Sequence, residues 1–178
     1  LEAHFRAIND AVPLPIVLYN VPSRPACGLL PETVAKLAPL PNVIGIKDAS
    51  NDLGRVSMHA ALTAGEQFTQ LSGEDPSSLG HRVMGGTGCI SVTANIAPDL
   101  SAQMHAAFDA GDLDTARELD QRLIHLHKAM FLSPSPGPAK YVLAKMGLCS
   151  NEVRLPIVAP NDQIKAQIDE AMTRAGLS

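Results

Sequence analysis

The chain has 178 residues, of which 46% are hydrophobic and 18% charged, with a formal net charge of -4. Such a composition excludes a disordered chain, gives no basic footprint for nucleic acid and holds no apolar run of the ~18 residues that a membrane helix needs. Tryptophan is absent and aromatics are only 3%, which leaves nothing to build a platform for stacking bases or sugars.

The three cysteines, Cys27, Cys89 and Cys149, are widely spaced and odd in number. They form no metal or disulfide spacing, so a reducing cytoplasm is the expected setting. No signal peptide is read at the N-terminus. The chain starts at Leu1, without methionine, inside what reads as a helix. A processed or truncated chain is therefore expected.

In chain order, residues 1–11 read as the end of an amphipathic helix. Residues 15–19, a short apolar run bounded by prolines, predict a buried strand. A helix with proline in its first turn starts at Pro31. Residues 42–47 predict a second strand, and Ser50 to Asp52 supply an N-cap for a helix from Leu53 to Ala64. A third strand spans residues 68–71, a helix follows over about residues 76–84, and residues 88–92 predict a fourth strand. Beyond that the strands stop. Helices are predicted over residues 98–110, 113–130, 137–145 and 162–175, with Asp112 and Asp162 as caps. Residues 132–138 read as a rigid proline-rich loop, and residues 153–159 as an extended surface segment.

Strands alternating with helices predict an α/β fold with a parallel sheet. Two architectures fit: an open doubly wound sheet, or half of a (β/α)8 barrel followed by extra helices. A complete barrel needs about 250 residues, so this chain has room for half.

In either fold, ligands bind at the C-terminal ends of the strands. The sequence turns polar at each of those ends: Tyr19 to Arg24, Lys47 to Ser50, Ser72 to Asp75 and Ser91 to Asn95. Lys47 stands out. An amine at the end of an apolar strand is desolvated, which disfavours the ammonium. The neutral amine can attack a ketone and form an imine that acts as an electron sink. The alternative is a lysine that reaches out to pair with Asp48 or Asp75. Tyr19 admits two roles, a proton relay or a cover for the strand end. Arg24, between Pro22 and Pro25, suits either bidentate capture of a carboxylate or a surface ion pair. The stretch from Gly85 to Gly88 matches no phosphate-binding spacing and reads as a tight turn. The six histidines show no ligand spacing, and no metal is assigned.

Four segments together resemble the dihydrodipicolinate synthase family, also called 4-hydroxy-tetrahydrodipicolinate synthase: residues 18–24 (LYNVPSR), 45–49 (GIKDA), 71–75 (LSGED) and 88–95 (GCISVTAN). Residues 134–141 (PSPGPAKY) and 153–157 (VRLPI) resemble that family's C-terminal helical region. The resemblance covers essentially the whole chain and preserves motif order. It implies the C-terminal half of a (β/α)8 TIM barrel over residues 1–97, followed by a helical region over residues 98–178. It implies that Lys47 forms a Schiff base with pyruvate, that Tyr19 relays protons and that Arg24 binds the carboxylate of L-aspartate 4-semialdehyde. Gly73 and Ile90 would line the pyruvate pocket, Ile90 partly through its backbone. The product would feed lysine and diaminopimelate synthesis, with no cofactor beyond the covalent pyruvate. A cytoplasmic homotetramer without nucleic-acid or membrane partners is implied.

By the same resemblance, the first half of the barrel is expected to lie outside this chain. With it go a threonine and a second tyrosine of the relay, and the lysine feedback site. Residues 25–27 (PAC) follow Arg24 where the family usually has Thr-Gly. Two alternatives stand beside the main reading: a sister Schiff-base aldolase such as N-acetylneuraminate lyase, and a non-catalytic half-barrel. The 178-residue chain on its own is expected to be weak or inactive.

Overall fold

The computed structural model describes residues 1–177, which divide into two compact units, Leu1–Ile90 and a second that begins at Ser91. The sequence placed the division at 97/98, after the fourth polar strand end.

The first unit alternates helices and strands: α1 (Glu2–Ala11), β1 (Ile16–Asn20), α2 (Pro31–Leu37), β2 (Val43–Asp48), α3 (Gly54–Leu62), β3 (Thr69–Ser72), α4 (Ser78–Val83) and β4 (Gly88–Cys89). All four strands are parallel, in the spatial order β1-β2-β3-β4. Each strand therefore lies beside the next one in sequence. A doubly wound sheet would reverse its order at a switch point. The observed order is that of a barrel wall, here half of a (β/α)8 barrel.

Leu18, Leu29, Val34, Leu37, Val43 and Ile46 form the core cluster, with Phe5, Ile16, Leu40 and Phe68 packed around it. Leu18 and Ile46 point from the sheet into this cluster. Burial of each such side chain contributes about 1.5–3 kcal/mol, so the sheet's stability comes from this helix-covered face. Val17 and Tyr19, which alternate with Leu18, are 40% and 47% exposed. The opposite face of the sheet is uncovered among the described residues of this unit.

Two predicted elements differ from those observed. The fourth strand ends at Cys89 rather than Val92. Its neighbour β3 stops at Ser72, so the last inter-strand bond runs from the Ile90 N–H to the Ser72 carbonyl at 2.9 Å. Helix α3 starts at Gly54, and its N-cap Leu53 makes no side-chain bond. The Asp52 carboxylate instead accepts the Gly54 N–H at 3.0 Å, while the Ser50 hydroxyl accepts the Asp52 N–H.

Behind the sheet, His59 of α3 and His81 of α4 are buried, at 1% and 5% exposed. The tight turn after α4 closes against His81: Gly85 has φ +103°, and a Cβ on Gly86 would run into the imidazole. Burial lowers the pKa of both rings from the usual 6.5. Arg55 lowers His59 further and Arg82 lowers His81, while Asp48 opposes the shift at both. The unfolded chain therefore binds more protons than the folded one as pH falls below 6.5. Stability should be lost in that direction, by up to about 1.4 kcal/mol per histidine per pH unit until the folded pKa is reached. The thermal midpoint of the full-length protein is expected to fall by a few degrees from about pH 7.5 to about pH 5.5. His59→Gln should shrink the drop, and an equal drop in that variant would contradict the assignment.

The second unit holds a short 3-10 turn, Thr93–Asn95, then α5 (Pro98–Asp109), α6 (Leu113–Ala129), α7 (Gly137–Lys145) and α8 (Asp162–Ala175). The Ser91 hydroxyl accepts the Ala94 N–H at 2.8 Å and starts the turn. Helix α6 packs on both α5 and α8, around Met104, Leu123, Leu126, Met130 and Ile168. Asp112 caps α6 by accepting the Thr115 N–H at 3.1 Å. The cap of α8 is Asn161, which accepts the Ile164 N–H at 2.9 Å, and Asp162 is the first helical residue. Both side chains suit a cap, but only Asn161 has the extended backbone that a cap needs. His125 and His127 lie on different sides of α6: His125 is exposed, and His127 is buried with Nδ1 2.7 Å from the Thr93 hydroxyl. Among the described residues no helix is long and apolar enough to cross a membrane.

Candidate active site

The strand register builds the site. Tyr19, Lys47 and Leu71 are direct partners across β1, β2 and β3. Asn20, Asp48, Ser72 and Cys89 form the next row. Successive residues of a strand point to opposite faces, so the two rows point to opposite sides of the sheet. The second row faces the helices, where Asn20 and Ser72 are only 3% and 1% exposed. The first row faces the uncovered side. Lys47 and Tyr19 therefore share the face that the helices leave free, at the C-terminal rim of the sheet.

A staircase of backbone bonds fixes that rim. Ala49 N–H donates to the Asn20 carbonyl at 2.8 Å, Gly73 N–H to Asp48 at 2.7 Å and Ile90 N–H to Ser72 at 2.9 Å. The first residue beyond each of β2, β3 and β4 is thus tied to the strand before it.

Lys47 is half-buried, with Nζ 4.4 Å from the centroid of the Tyr19 ring. That is a cation–π geometry. It settles the pairing question raised by the sequence. Asp48 lies on the far face, where its carboxylate accepts Arg55 Nε at 2.8 Å, Asn20 Nδ2 at 3.1 and 3.2 Å, and the Ser50 N–H at 2.8 Å. Burial pushes the Asp48 carboxyl up, but the bonds from Ser50 and Arg55 outweigh it and hold the pKa below 3.8. Asp48 is therefore a committed structural anion, and Lys47 forms no ion pair with a carboxylate among the described residues.

Gly73 packs against the lysine. A Cβ there would sit 2.7 Å from the Ala49 Cβ and 3.0 Å from the Lys47 Cε, both inside normal contact. Only glycine at this position leaves the lysine chain where it stands. Ile90 is 46% exposed. Its N–H is taken by the Ser72 carbonyl at 2.9 Å, and its side chain is exposed.

No motif of the sequence assigns a role to Glu74. Burial and the neighbouring Asp75 push its carboxyl above 4.5, and the Lys47 charge pulls it back. A protonatable group thus lies within the electrostatic reach of Lys47. Its position directly after Gly73 was the available signal. Cys89 is half-buried. Burial, with Asp75 adding to it, pushes its thiol up to about 12.

Arg24 lies in the turn after β1, where its N–H donates to the Val21 carbonyl at 3.0 Å. Its side chain is exposed and makes no hydrogen bond or ion pair with a described residue. A cleft of about 110 Å³ lies beneath its loop, lined by Tyr19, Val21, Pro25 and Cys27 among others. Lys47, Tyr19 and Gly73 thus come together on the rim, Ile90 lies beyond β4 bonded to Ser72, and Arg24 stands on the loop after β1.

A lysine beside a tyrosine, on the open C-terminal rim of four parallel strands in sequential order, defines part of a βα-barrel wall with a lysine amine at its rim. The chain belongs to the Dihydrodipicolinate synthetase family, whose model matches residues 1–175. It is similar to the 4-hydroxy-tetrahydrodipicolinate synthase of Hyphomonas neptunium, 65% identical over all of this chain and 61% of that relative. Among solved structures it is similar to the dihydrodipicolinate synthase of Thermotoga maritima, with a TM-score of 0.94 and 36% identity over 99% of this chain and 61% of that one. The chloride-inhibited synthase of Acinetobacter baumannii, solved in complex with pyruvate, has a TM-score of 0.94 and 36% identity over 99% and 60%. The chain therefore spans about three fifths of the length of the relatives it matches.

Proposed function

We propose that the full-length protein containing this chain is a 4-hydroxy-tetrahydrodipicolinate synthase, a lyase-class enzyme of lysine and diaminopimelate synthesis, and that this chain supplies its Schiff-base half. The motif order of the sequence supports reading the four strands as the C-terminal half of the barrel. The observation that carries the reading is Lys47: half-buried, free of carboxylate partners, over the Tyr19 ring and against Gly73.

In this reading the neutral Lys47 amine adds to the ketone carbon of pyruvate, and the carbinolamine loses water to give the protonated imine. The methyl carbon then gives up a proton, and the resulting enamine attacks the aldehyde carbon of L-aspartate 4-semialdehyde. Tyr19 moves the protons that the carbinolamine gains and loses. Arg24 grips the carboxylate of the aldehyde, and Gly73 and Ile90 line the pyruvate pocket. No cofactor is needed, since the imine is itself the electron sink. A cytoplasmic homotetramer fits the resemblance to the family. The isolated 178-residue chain is expected to turn over weakly or not at all, because it spans only about three fifths of the length of its relatives.

Arg24 favours a small carboxylated aldehyde over the polyol chain of a sugar acid. A substrate panel on the full-length protein tests this. Condensation of pyruvate with L-aspartate 4-semialdehyde is expected, with no cleavage of N-acetylneuraminate, and the reverse preference would sink the reading. Arg24→Ala should raise the KM for the aldehyde roughly 10–100-fold, the worth of one charge-assisted pair, and leave pyruvate capture intact. An unchanged KM would remove Arg24 from the site.

A further inference from the structure

Arg24 stands on a loop that leaves β1 at Asn20 and returns to the core at Leu29. Both ends of that loop are held by one buried network. The Leu29 N–H donates to Asn20 Oδ1 at 3.0 Å. The Leu29 carbonyl accepts Arg55 Nη2 at 2.6 Å. Arg55 Nε donates to Asp48 at 2.8 Å, and Asn20 Nδ2 donates to both oxygens of the same carboxylate. The side chains of Arg55 and Asp48 are 16% and 9% exposed. Bonds in so dry a setting are strong and costly to leave half-made. Between the two ends the loop is exposed, and Ala26 holds φ +54°, a left-handed conformation that a side chain disfavours. A loop with such a residue keeps one shape only if its base is fixed.

We propose that Arg55 is a positioning residue for the second substrate. With Asp48 and Asn20 it forms a clamp that sets the loop bearing Arg24 against the strand bearing Lys47. The clamp residues directly follow the two reactive ones: Asn20 is next to Tyr19, and Asp48 is next to Lys47. Since neighbours in a strand face opposite ways, each strand end presents one group to the ligand side and one to the clamp. The guanidinium is suited to this because its fork reaches a carboxylate and a carbonyl at once. A lysine could keep the Asp48 pair but not both partners. The assignment of a carboxylated aldehyde to the loop rests on the function proposed above.

The test compares wild-type and Arg55→Lys full-length protein in two measurements. The first is steady-state kinetics. Arg55→Lys should raise the KM for L-aspartate 4-semialdehyde about tenfold, the cost of one lost charge-assisted bond, with the pyruvate KM and pyruvate trapping on Lys47 within about twofold. The second is amide hydrogen exchange, which should speed up in residues 21–29 and not elsewhere in the strands. Equal changes in both KM values, or faster exchange throughout the barrel, would reduce Arg55 to general scaffolding and overturn the proposal. Unchanged exchange in residues 21–29 would also overturn it. If wild-type protein fails to capture pyruvate, the functional reading fails by itself, and the exchange measurement still decides the clamp. Arg55→Ala serves as a second variant, with a larger effect of the same pattern expected.

Discussion

Replacing Lys47 by alanine in the full-length protein is expected to lower kcat for condensation by about a thousandfold or more, the loss typical of removing a covalent nucleophile. Folding should survive the change. The Lys47 side chain sits on the open face of the sheet, makes no ion pair among the described residues, and contributes nothing to the core behind the strands. Thermal stability within a few degrees of wild type, together with near-complete loss of turnover, is the expected pair of results. Lys47→Arg separates charge from nucleophilicity. Its guanidinium keeps the positive charge over the Tyr19 ring but cannot form the imine at neutral pH, so it should be as inactive as the alanine variant. Activity in the arginine variant would show that the charge matters and the amine does not.

The second large effect is expected at Gly73. An added methyl would press on the Cβ of Ala49 at 2.7 Å, which is fixed to the backbone, and on the Cε of Lys47 at 3.0 Å, which can move. The lysine is the softer neighbour and should give way. Overpacking of this kind costs about 1–3 kcal/mol of stability, and the few tenths of an ångström by which the Lys47 chain must yield lower the rate at the reacting atom as well. Gly73→Ala should therefore lose rate, read as kcat and as the rate of pyruvate capture, on top of the loss of stability. Gly88→Ala is the control. A Cβ there would meet only the Leu71 side chain at 3.5 Å, an ordinary contact, and activity should be nearly unchanged. Equal behaviour of the two variants would contradict the packing argument.

The strand ends were legible because an apolar run stops and a polar one starts at each of them. Residues 42–47 read as a buried strand with Lys47 at its end, and the structure has it there. Which neighbour faced the ligand side was less legible. A strand buried along most of its length reads as a continuous apolar run without alternation, so Lys47 and Asp48 could not be assigned to faces. That took the register with Tyr19 and the position of α3. The same gap hid Arg55, seven residues beyond Asp48 on a helix, where a lone arginine gives no periodic signal. The fourth strand was read too long because its apolar residues continue to Val92, while its length is set by where β3 ends. Periodicity alone leaves two candidate architectures; the motif resemblance points to the barrel, and the spatial order of the strands, which no local pattern encodes, agrees with it. The loop bearing Arg24 carries a residue type suited to carboxylate capture, but nothing in the spacing specifies where its side chain goes.

The central claim is that Lys47 captures pyruvate as an imine, and borohydride reduction tests it most directly. Full-length protein incubated with pyruvate and sodium borohydride, then digested and analysed by mass spectrometry, is expected to carry the reduced pyruvyl adduct on the peptide containing Lys47 and to lose activity in proportion. An unmodified Lys47 peptide, or an adduct on another lysine, would contradict the account.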